Sequence, residues 1–218
     1  MPVFSKIKRI DFLRGLLLAL LVVLCFTSCF KDLTQLTVIY ENNFDNYDQK
    51  GIIISTPNGI ANDIRIKKFN DNPVLGMFNN TRIDLAVQNL PAHRAMTVSF
   101  DLYIHDKWVD DLWKLTYDGN DYVLYSFSND PTVQQWYPNA INSGAKYPAK
   151  TDAYTINLPG ACLLSTSPQG TTMYKIEQTF LHNNTSFHFS CSDAGSAYNI
   201  PCTRSWSIDN LKITMIKN

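Results

Sequence analysis

The stretch RSWSIDNLKITMI, residues 204–216, decides the fold class of this chain. Apolar and polar side chains alternate along its second half, with Leu211, Ile213 and Met215 on one face, and a period of two is typical of a half-buried β-strand. Asp209 is in phase with this apolar set, so the pattern predicts a carboxylate that points toward the core. Such a group needs a cation, an arginine or several N–H donors, because an unpaired buried carboxylate is costly.

Further strands are predicted from residue 37 onward. The strongest is Ala95 to Ile104, which divides into an apolar and a polar face, the latter carrying Thr97, Ser99, Asp101, Tyr103 and His105. This division predicts an antiparallel sheet with one solvated or partner-facing side. The segment Ser186–Ser190 is expected to pair with a strand over Thr171–Phe180. About a dozen short strands separated by turn residues predict an all-β fold, an antiparallel β-sandwich of the jelly-roll type.

Composition narrows the functional classes. The 218 residues contain 45% hydrophobic and only 17% charged side chains, with 19 basic and 19 acidic groups. Without residues 1–28, the remainder has a net charge of about −3 by the same count. A nucleic-acid-binding domain needs a basic face, so this class is not expected.

The N-terminus is predicted to be a targeting segment. Basic residues precede a twelve-residue apolar run, Gly15 to Phe26, which is too short to span a bilayer and is typical of a secretory signal. The run ends in Phe26-Thr27-Ser28-Cys29, which resembles the lipobox of bacterial lipoproteins. The resemblance implies cleavage before Cys29, lipidation of Cys29 and an outer-membrane location, periplasmic or cell-surface; the alternative is an ordinary signal peptide. The predicted organisation is a signal peptide over 1–28, a lipidated tether over 29–36 and one sandwich domain over 37–218.

Four segments together resemble a group of exported bacterial jelly-roll domains related to concanavalin A-like lectins and carbohydrate-binding modules: Leu90–His93, Val98–Trp108, Tyr174–His182 and Ser205–Asn210. Ser207 stands where the group usually has Gly. The resemblance implies a β-sandwich and no enzyme activity.

A structural Ca²⁺ is expected where the first and last strands meet. The candidate ligands are Glu41, Asp45, Asp209 and Asn210, since hard cations take oxygen ligands. Carbohydrate-binding modules of this architecture hold calcium at the same junction, so the resemblance supports this expectation. The alternative is that backbone N–H groups or Arg204 hold the Asp209 carboxylate.

Aromatic and polar residues predict a sugar-binding surface, because aromatic rings stack on the C–H faces of sugars. The candidates are Tyr103, Trp108, Trp136 and Tyr137 with Asp101, and the bland alternative is that these rings pack in the core. Hydrolysis of a glycan is less expected. It requires two carboxylates about 5–10 Å apart, and the chain has no Glu-x-Asp-x-x-Glu motif of the catalytic jelly-roll glucanases.

The cysteines after the targeting segment predict a disulfide, because an exported domain meets an oxidising compartment. Cys191 and Cys202 flank a short loop and are the expected pair, which leaves Cys162 free. The sequence therefore predicts a lipid-anchored, non-catalytic module that binds a glycan or an adhesion ligand through its sandwich. The alternative is a structural lipoprotein that binds a protein of the cell envelope.

Overall fold

The structure is a computed structural model that describes residues 34–119, 121–193 and 202–217, without the side chains of residues 121 and 122. The predicted signal peptide and Cys29 lie outside the described residues. No helix of the described residues is long and apolar enough to cross a membrane. The chain forms the following strands: β1 (Gln35–Asn42), β2 (Ile53–Thr56), β3 (Gly59–Ile60), β4 (Ile66–Phe69), β5 (Asn72–Phe78), β6 (Arg82–Gln88), β7 (Ala95–Asp106), β8 (Asp111–Tyr117), β9 (Asp121–Phe127), β10 (Thr155–Leu158), β11 (Thr171–Leu181), β12 (Ser186–Asp193) and β13 (Arg204–Lys217).

The strands form two sheets. Sheet A has the order β10-β11-β7-β13-β5-β4, with β1 also paired to β13, and sheet B has the order β3-β2-β6-β12-β8-β9. Neighbouring strands along both orders run antiparallel. The predicted all-β antiparallel sandwich is therefore confirmed.

Strand β7 lies at the centre of sheet A, and its alternation explains the layering. It pairs along its length with β11 on one side and β13 on the other. Its apolar face is buried in the core between the sheets as predicted, through Met96, Val98, Phe100, Leu102 and Ile104. Burial of one such side chain contributes about 1.5–3 kcal/mol to the free energy of folding.

The opposite, outer face of sheet A divides into two halves. At one end, His105, Tyr103 and Ser207 are buried, and Tyr103 belongs to a second apolar cluster against which Leu158 and Ala161 pack. We call this end the covered half. At the other end, which we call the open half, the side chains are exposed or half-buried: Thr97, Ser99, Lys175, Glu177 and Thr179.

The predicted pairing of Ser186–Ser190 with Thr171–Phe180 is wrong. Strand β11 lies in sheet A, whereas β12 lies in sheet B between β6 and β8. The four residues 182–185 connect the two sheets and do not form a hairpin turn. The prediction assumed that strands consecutive in the sequence pair with each other. In a sandwich, consecutive strands often belong to different sheets.

The predicted disulfide between Cys191 and Cys202 is also wrong. Cys202 is bonded to Cys162, with the two Cα atoms 5.0 Å apart, and Cys191 is free and buried. Cys191 belongs to the core cluster between the sheets, so its thiol faces away from the loop that holds Cys202. Burial raises the pKa of the Cys191 thiol well above its ordinary value, which keeps the thiol neutral.

Candidate functional site

A β-bulge in β13 changes the direction of Asp209. The pairing register with β7 shifts between Asp209 and Lys212, and Asn210 has a φ of 52°. The extra residue lets Ile208 and Leu211 both enter the core although three positions separate them. Asp209 therefore lies on the outer face of sheet A, opposite Asp101, and the prediction that it points toward the core is wrong.

Asp209 is nevertheless only 3% exposed. Its carboxylate accepts hydrogen bonds from Asn72 Nδ2 at 2.6 Å and from the backbone N–H of Asn210 at 2.7 Å. Burial raises the pKa of Asp209, while the bonds from Asn72 and Asn210 lower it and the nearby charge of Asp101 raises it. The expected backbone N–H donor is therefore present in Asn210, whereas the second donor is the side-chain amide of Asn72 and not Arg204.

A connected row of polar groups crosses sheet A beside Asp209. The Lys175 ammonium on β11 lies 4.5 Å from the centroid of the Tyr154 ring and 3.3 Å from Oδ1 of Asp101 on β7. The other oxygen of Asp101 accepts a hydrogen bond from Asn210 Nδ2 on β13 at 2.8 Å. We call Tyr154, Lys175, Asp101 and Asn210 the polar strip.

Tyr154 gives the strip an accessible aromatic ring. It is 66% exposed, and its backbone N–H donates to Met173 O on β11, which fixes the residue just before β10. Lys175 covers part of the ring as a cation–π partner. An exposed ring, an exposed cation and an exposed primary amide thus lie around the Asp101 carboxylate, which is only 7% exposed.

The strip ends in a cavity between β1 and β13. The cavity has a volume of about 360 Å³ and is lined by Glu41, Asn42, Asn43, Lys50 and Asn210. Pairing of β1 with β13 confirms the expected meeting of the first and last strands.

The oxygen atoms at this junction already accept hydrogen bonds, and this arrangement does not fit a calcium site. Both oxygens of Asp209 accept N–H donors, and the Lys50 ammonium donates to the Glu41 carbonyl at 3.0 Å. Asp45 Oδ2 accepts from Asn43 Nδ2 at 2.5 Å. Among the described residues, no group of three or more His, Cys, Asp or Glu side chains is arranged to hold a metal. Calcium at Glu41, Asp45, Asp209 and Asn210 stays a prediction without geometric support.

Three of the four aromatic rings predicted to bind a ligand are instead buried or packed against the core. Trp108 is fully buried and its Nε1 donates to Ser205 O at 2.9 Å, so its ring cannot stack on a ligand. Tyr103 is buried in the covered half, and burial, followed by the charges of Asp209 and Asp101, raises its pKa to about 12. Tyr137 is half-buried and packs against the core.

Trp136 remains half-exposed on the other side of the molecule. Its backbone N–H donates to Ser126 Oγ on β9, and the Lys146 ammonium lies 5.7 Å from its ring centroid. Lys146 also pairs with Asp110. This second aromatic–lysine–aspartate group, which we call the Trp136 group, repeats the chemistry of the polar strip beside sheet B.

Sequence reasoning missed the residue that organises the long loop between β9 and β10. Gln135 is fully buried, and its side chain bonds Ser128 N, Lys150 N and the Tyr174 hydroxyl, together with the carbonyl oxygens of Tyr137 and Thr151. Through this loop the chain returns to sheet A and places Tyr154. The residue after the loop, Thr155, begins a four-residue strand that has too little alternation to be recognised.

Comparisons with known proteins show loose structural similarity. No protein-family model matches the chain, and no curated protein does. A family 35 carbohydrate-binding module from Clostridium thermocellum matches with a TM-score of 0.31 and 9% identity, over 82% of this chain and 97% of the module. The CBM35 of Cellvibrio japonicus Abf62 matches with a TM-score of 0.35 and 7% identity, over 85% and 99%.

A third solved structure, the exo-β-1,3-galactanase of Phanerochaete chrysosporium with galactose, has a TM-score of 0.30 and 9% identity. The match covers 84% of this chain and 29% of that enzyme's chain. The sheet order and register define the present fold class independently of these matches.

Proposed function

We propose that this chain is a lipid-anchored, extracytoplasmic module that binds an extended glycan along the polar strip without cleaving it. The observation that carries the proposal is the exposed Tyr154 ring, held beside the charged pair Lys175 and Asp101. The ring is 66% exposed, so one of its faces is available to stack on the apolar face of a sugar. The anchor is Cys29.

The strip has the chemistry and length for several sugar units. Its groups lie on or beside β10, β11, β7 and β13 and lead to the cavity at β1. Four spacings between neighbouring strands amount to about 19 Å. Lys175 donates hydrogen bonds and Asn210 both donates and accepts them, which suits the hydroxyl groups of a chain whose apolar face rests on Tyr154. Asp101 is only 7% exposed and holds Lys175 and Asn210 in place.

A glycoside hydrolase is the enzymatic alternative, because Asp101 and Asp209 form a facing pair of carboxylates on the strip. A general acid must reach the glycosidic oxygen. The carboxylate of Asp209, however, is buried and bonded to Asn72 and Asn210. We therefore propose binding rather than hydrolysis.

A protein partner in the cell envelope is the second candidate function. The observation that favours it is a set of exposed apolar side chains on β1, β2 and β3: Leu36, Val38, Ile53 and Ile60. Such residues are compatible with a protein contact. They are separate from the polar strip, so the two functions respond to different substitutions.

The deciding experiment is a glycan array with a soluble form that begins at residue 34. Tyr154→Ala is expected to reduce binding about five- to tenfold, because the lost stacking contributes about 1–1.4 kcal/mol. Trp136→Ala is the matched control, since it removes a ring from a similar aromatic–lysine–aspartate group beside the other sheet. It is expected to leave binding unchanged.

The other outcomes each have a definite meaning. Loss of binding with Trp136→Ala but not with Tyr154→Ala moves the glycan site to the Trp136 group and overturns the strip. No binding to any glycan favours the protein partner. If the wild type releases reducing ends from a glycan and Asp101→Asn does not, the protein is a glycoside hydrolase and the binding proposal is wrong.

A further inference from the structure

Two histidines meet at one end of the sandwich. Nε2 of His93, in the loop between β6 and β7, lies 2.6 Å from Nδ1 of His182, the residue after β11. The ring centroids are 4.9 Å apart and the planes differ by 20°. The centroid separation is close to the N···N distance plus the two ring radii, so the rings face each other edge to edge in nearly one plane. This is the geometry of an N–H···N hydrogen bond.

The two outward nitrogens face groups that only accept hydrogen bonds. Nδ1 of His93 lies 2.6 Å from the Pro91 carbonyl oxygen. Nε2 of His182 lies 3.0 Å from the Ser186 carbonyl oxygen and 3.1 Å from Oδ2 of Asp118. Each outward nitrogen must therefore carry a hydrogen.

The inward nitrogens then require one more proton. A neutral imidazole carries one N–H, and both of these hydrogens are used outward. Without a further proton, two lone pairs would face each other at 2.6 Å. We propose that His93 and His182 share a proton, so that the pair holds three protons on four ring nitrogens and forms a singly charged clasp between loops.

The surroundings suit one positive charge. Asp118, in the turn after β8, supplies the opposite charge, and its other oxygen accepts the backbone N–H of His188 on β12 at 3.0 Å. The remaining neighbours are the Arg94 side chain, which lines the same 300 Å³ cavity, and the Phe187 ring, which packs edge-on against His182. One carboxylate, Asp118, and one guanidinium, Arg94, thus lie around the pair, and the positive charge of Arg94 disfavours a second proton on it.

The clasp joins three separate loops, and its proton count makes their attachment depend on pH. The folded pair holds one proton, whereas two ordinary histidines in the unfolded chain hold two below and none above a pKa of about 6.5. Above pH 6.5 the folded state therefore holds more protons than the unfolded state, and stability falls as pH rises. Below pH 6.5 the relation reverses, so the contribution of the pair is greatest near pH 6.5.

The test compares the full-length wild type with His93→Gln, whose amide replaces the shared bond without taking up a proton. Unfolding equilibria are measured in urea from pH 5 to 9. Above pH 6.5, the unfolding equilibrium constant of the wild type is expected to rise relative to that of His93→Gln by up to tenfold per pH unit. His188→Gln is the matched control, because His188 pairs with Asp84 and not with another histidine.

Nitrogen-15 NMR of histidine-labelled full-length protein provides a second readout that does not depend on stability. At pH 7 the pair is expected to show three protonated nitrogens, with one proton coupled across the N···N contact. Two neutral imidazoles at pH 7 would contradict the proposal. So would parallel pH profiles for the wild type and His93→Gln.

Discussion

The covered and open halves of sheet A begin from the same alternation on β7 but have different roles. His105 and Tyr103, in the covered half, are buried and stabilise the fold, and Leu158 and Ala161 pack against the cluster that contains Tyr103. Ser99 and Thr97, four and six residues before Tyr103 on the same strand, are only half-buried. The difference shows that a polar face on a strand does not by itself define a binding surface, because a distant loop decides which part of that face meets solvent.

The largest expected effect separates the halves by stability. His105 is fully buried and bonds the hydroxyls of Thr171 at 2.9 Å and Ser207 at 2.8 Å, with its ring against Phe69. His105→Ala should lower the free energy of unfolding by about 3–5 kcal/mol, since it leaves a cavity and two unpaired hydroxyls. Thr97→Ala, in the open half, should change it by less than about 0.5 kcal/mol. Urea denaturation at pH 7 measures both.

The same histidine gives the covered half an acid sensitivity. Burial lowers the pKa of His105 to about 3, so the folded state keeps it neutral while the unfolded chain takes up a proton below pH 6.5. Stability is therefore retained above pH 6.5 and lost as pH falls toward 3, by about 1.4 kcal/mol per pH unit. This part of the pH dependence should be missing in His105→Ala. An equal acid slope in both proteins would contradict it.

A slightly smaller loss of stability is expected when residues 158–164, the segment beside the covered half, are no longer held by a disulfide. The disulfide from Cys162 to Cys202 attaches that segment to the start of β13, and the two cysteines are 40 positions apart. Cys162→Ser should cost about 2–4 kcal/mol. Cys191→Ala is the control, because it removes a buried thiol that is not bonded. Equal losses in the two variants would mean that the disulfide contributes little.

The cover also depends on a carboxylate that sequence reasoning did not single out. Asp106 is fully buried, and its side chain accepts the backbone N–H groups of Cys162 and Leu164, the latter at 2.8 Å. The contact joins residues more than fifty positions apart. Periodicity describes neighbours along one strand and contains no information about such a pairing, which is why the sequence predicted the wrong disulfide.

Within strands, the sequence was a better guide. The predicted strand from Ala95 to Ile104 lies within β7, and its apolar face is the predicted one. The prediction for Asp209 was wrong because one bulged residue, Asn210, reverses every side chain before it relative to those after it. Of the predicted ligand-binding residues, Asp101 lies in the polar strip, whereas Tyr154 could not be distinguished from other loop tyrosines before the loop was placed.

The smallest expected effect lies at the border between the halves, where Asp209 is buried beside the exposed strip. Asp209→Asn removes a buried charge, and rotation of the Asn72 amide lets both hydrogen bonds persist. We expect a gain in stability of at most about 1 kcal/mol at pH 7, because buried charge is costly even when bonded.

The pH dependence gives this small effect a definite sign. The pKa of Asp209 is raised by burial, so the wild type has its full stability below the ordinary pKa of an aspartate and loses part of it as pH rises through the raised value. The advantage of Asp209→Asn should therefore shrink as pH falls from 7 toward 4. If it grows instead, the carboxylate is held mainly by its N–H donors. Asp209 would then resemble the residues of the covered half, because its hydrogen bonds as well as its burial would stabilise the fold.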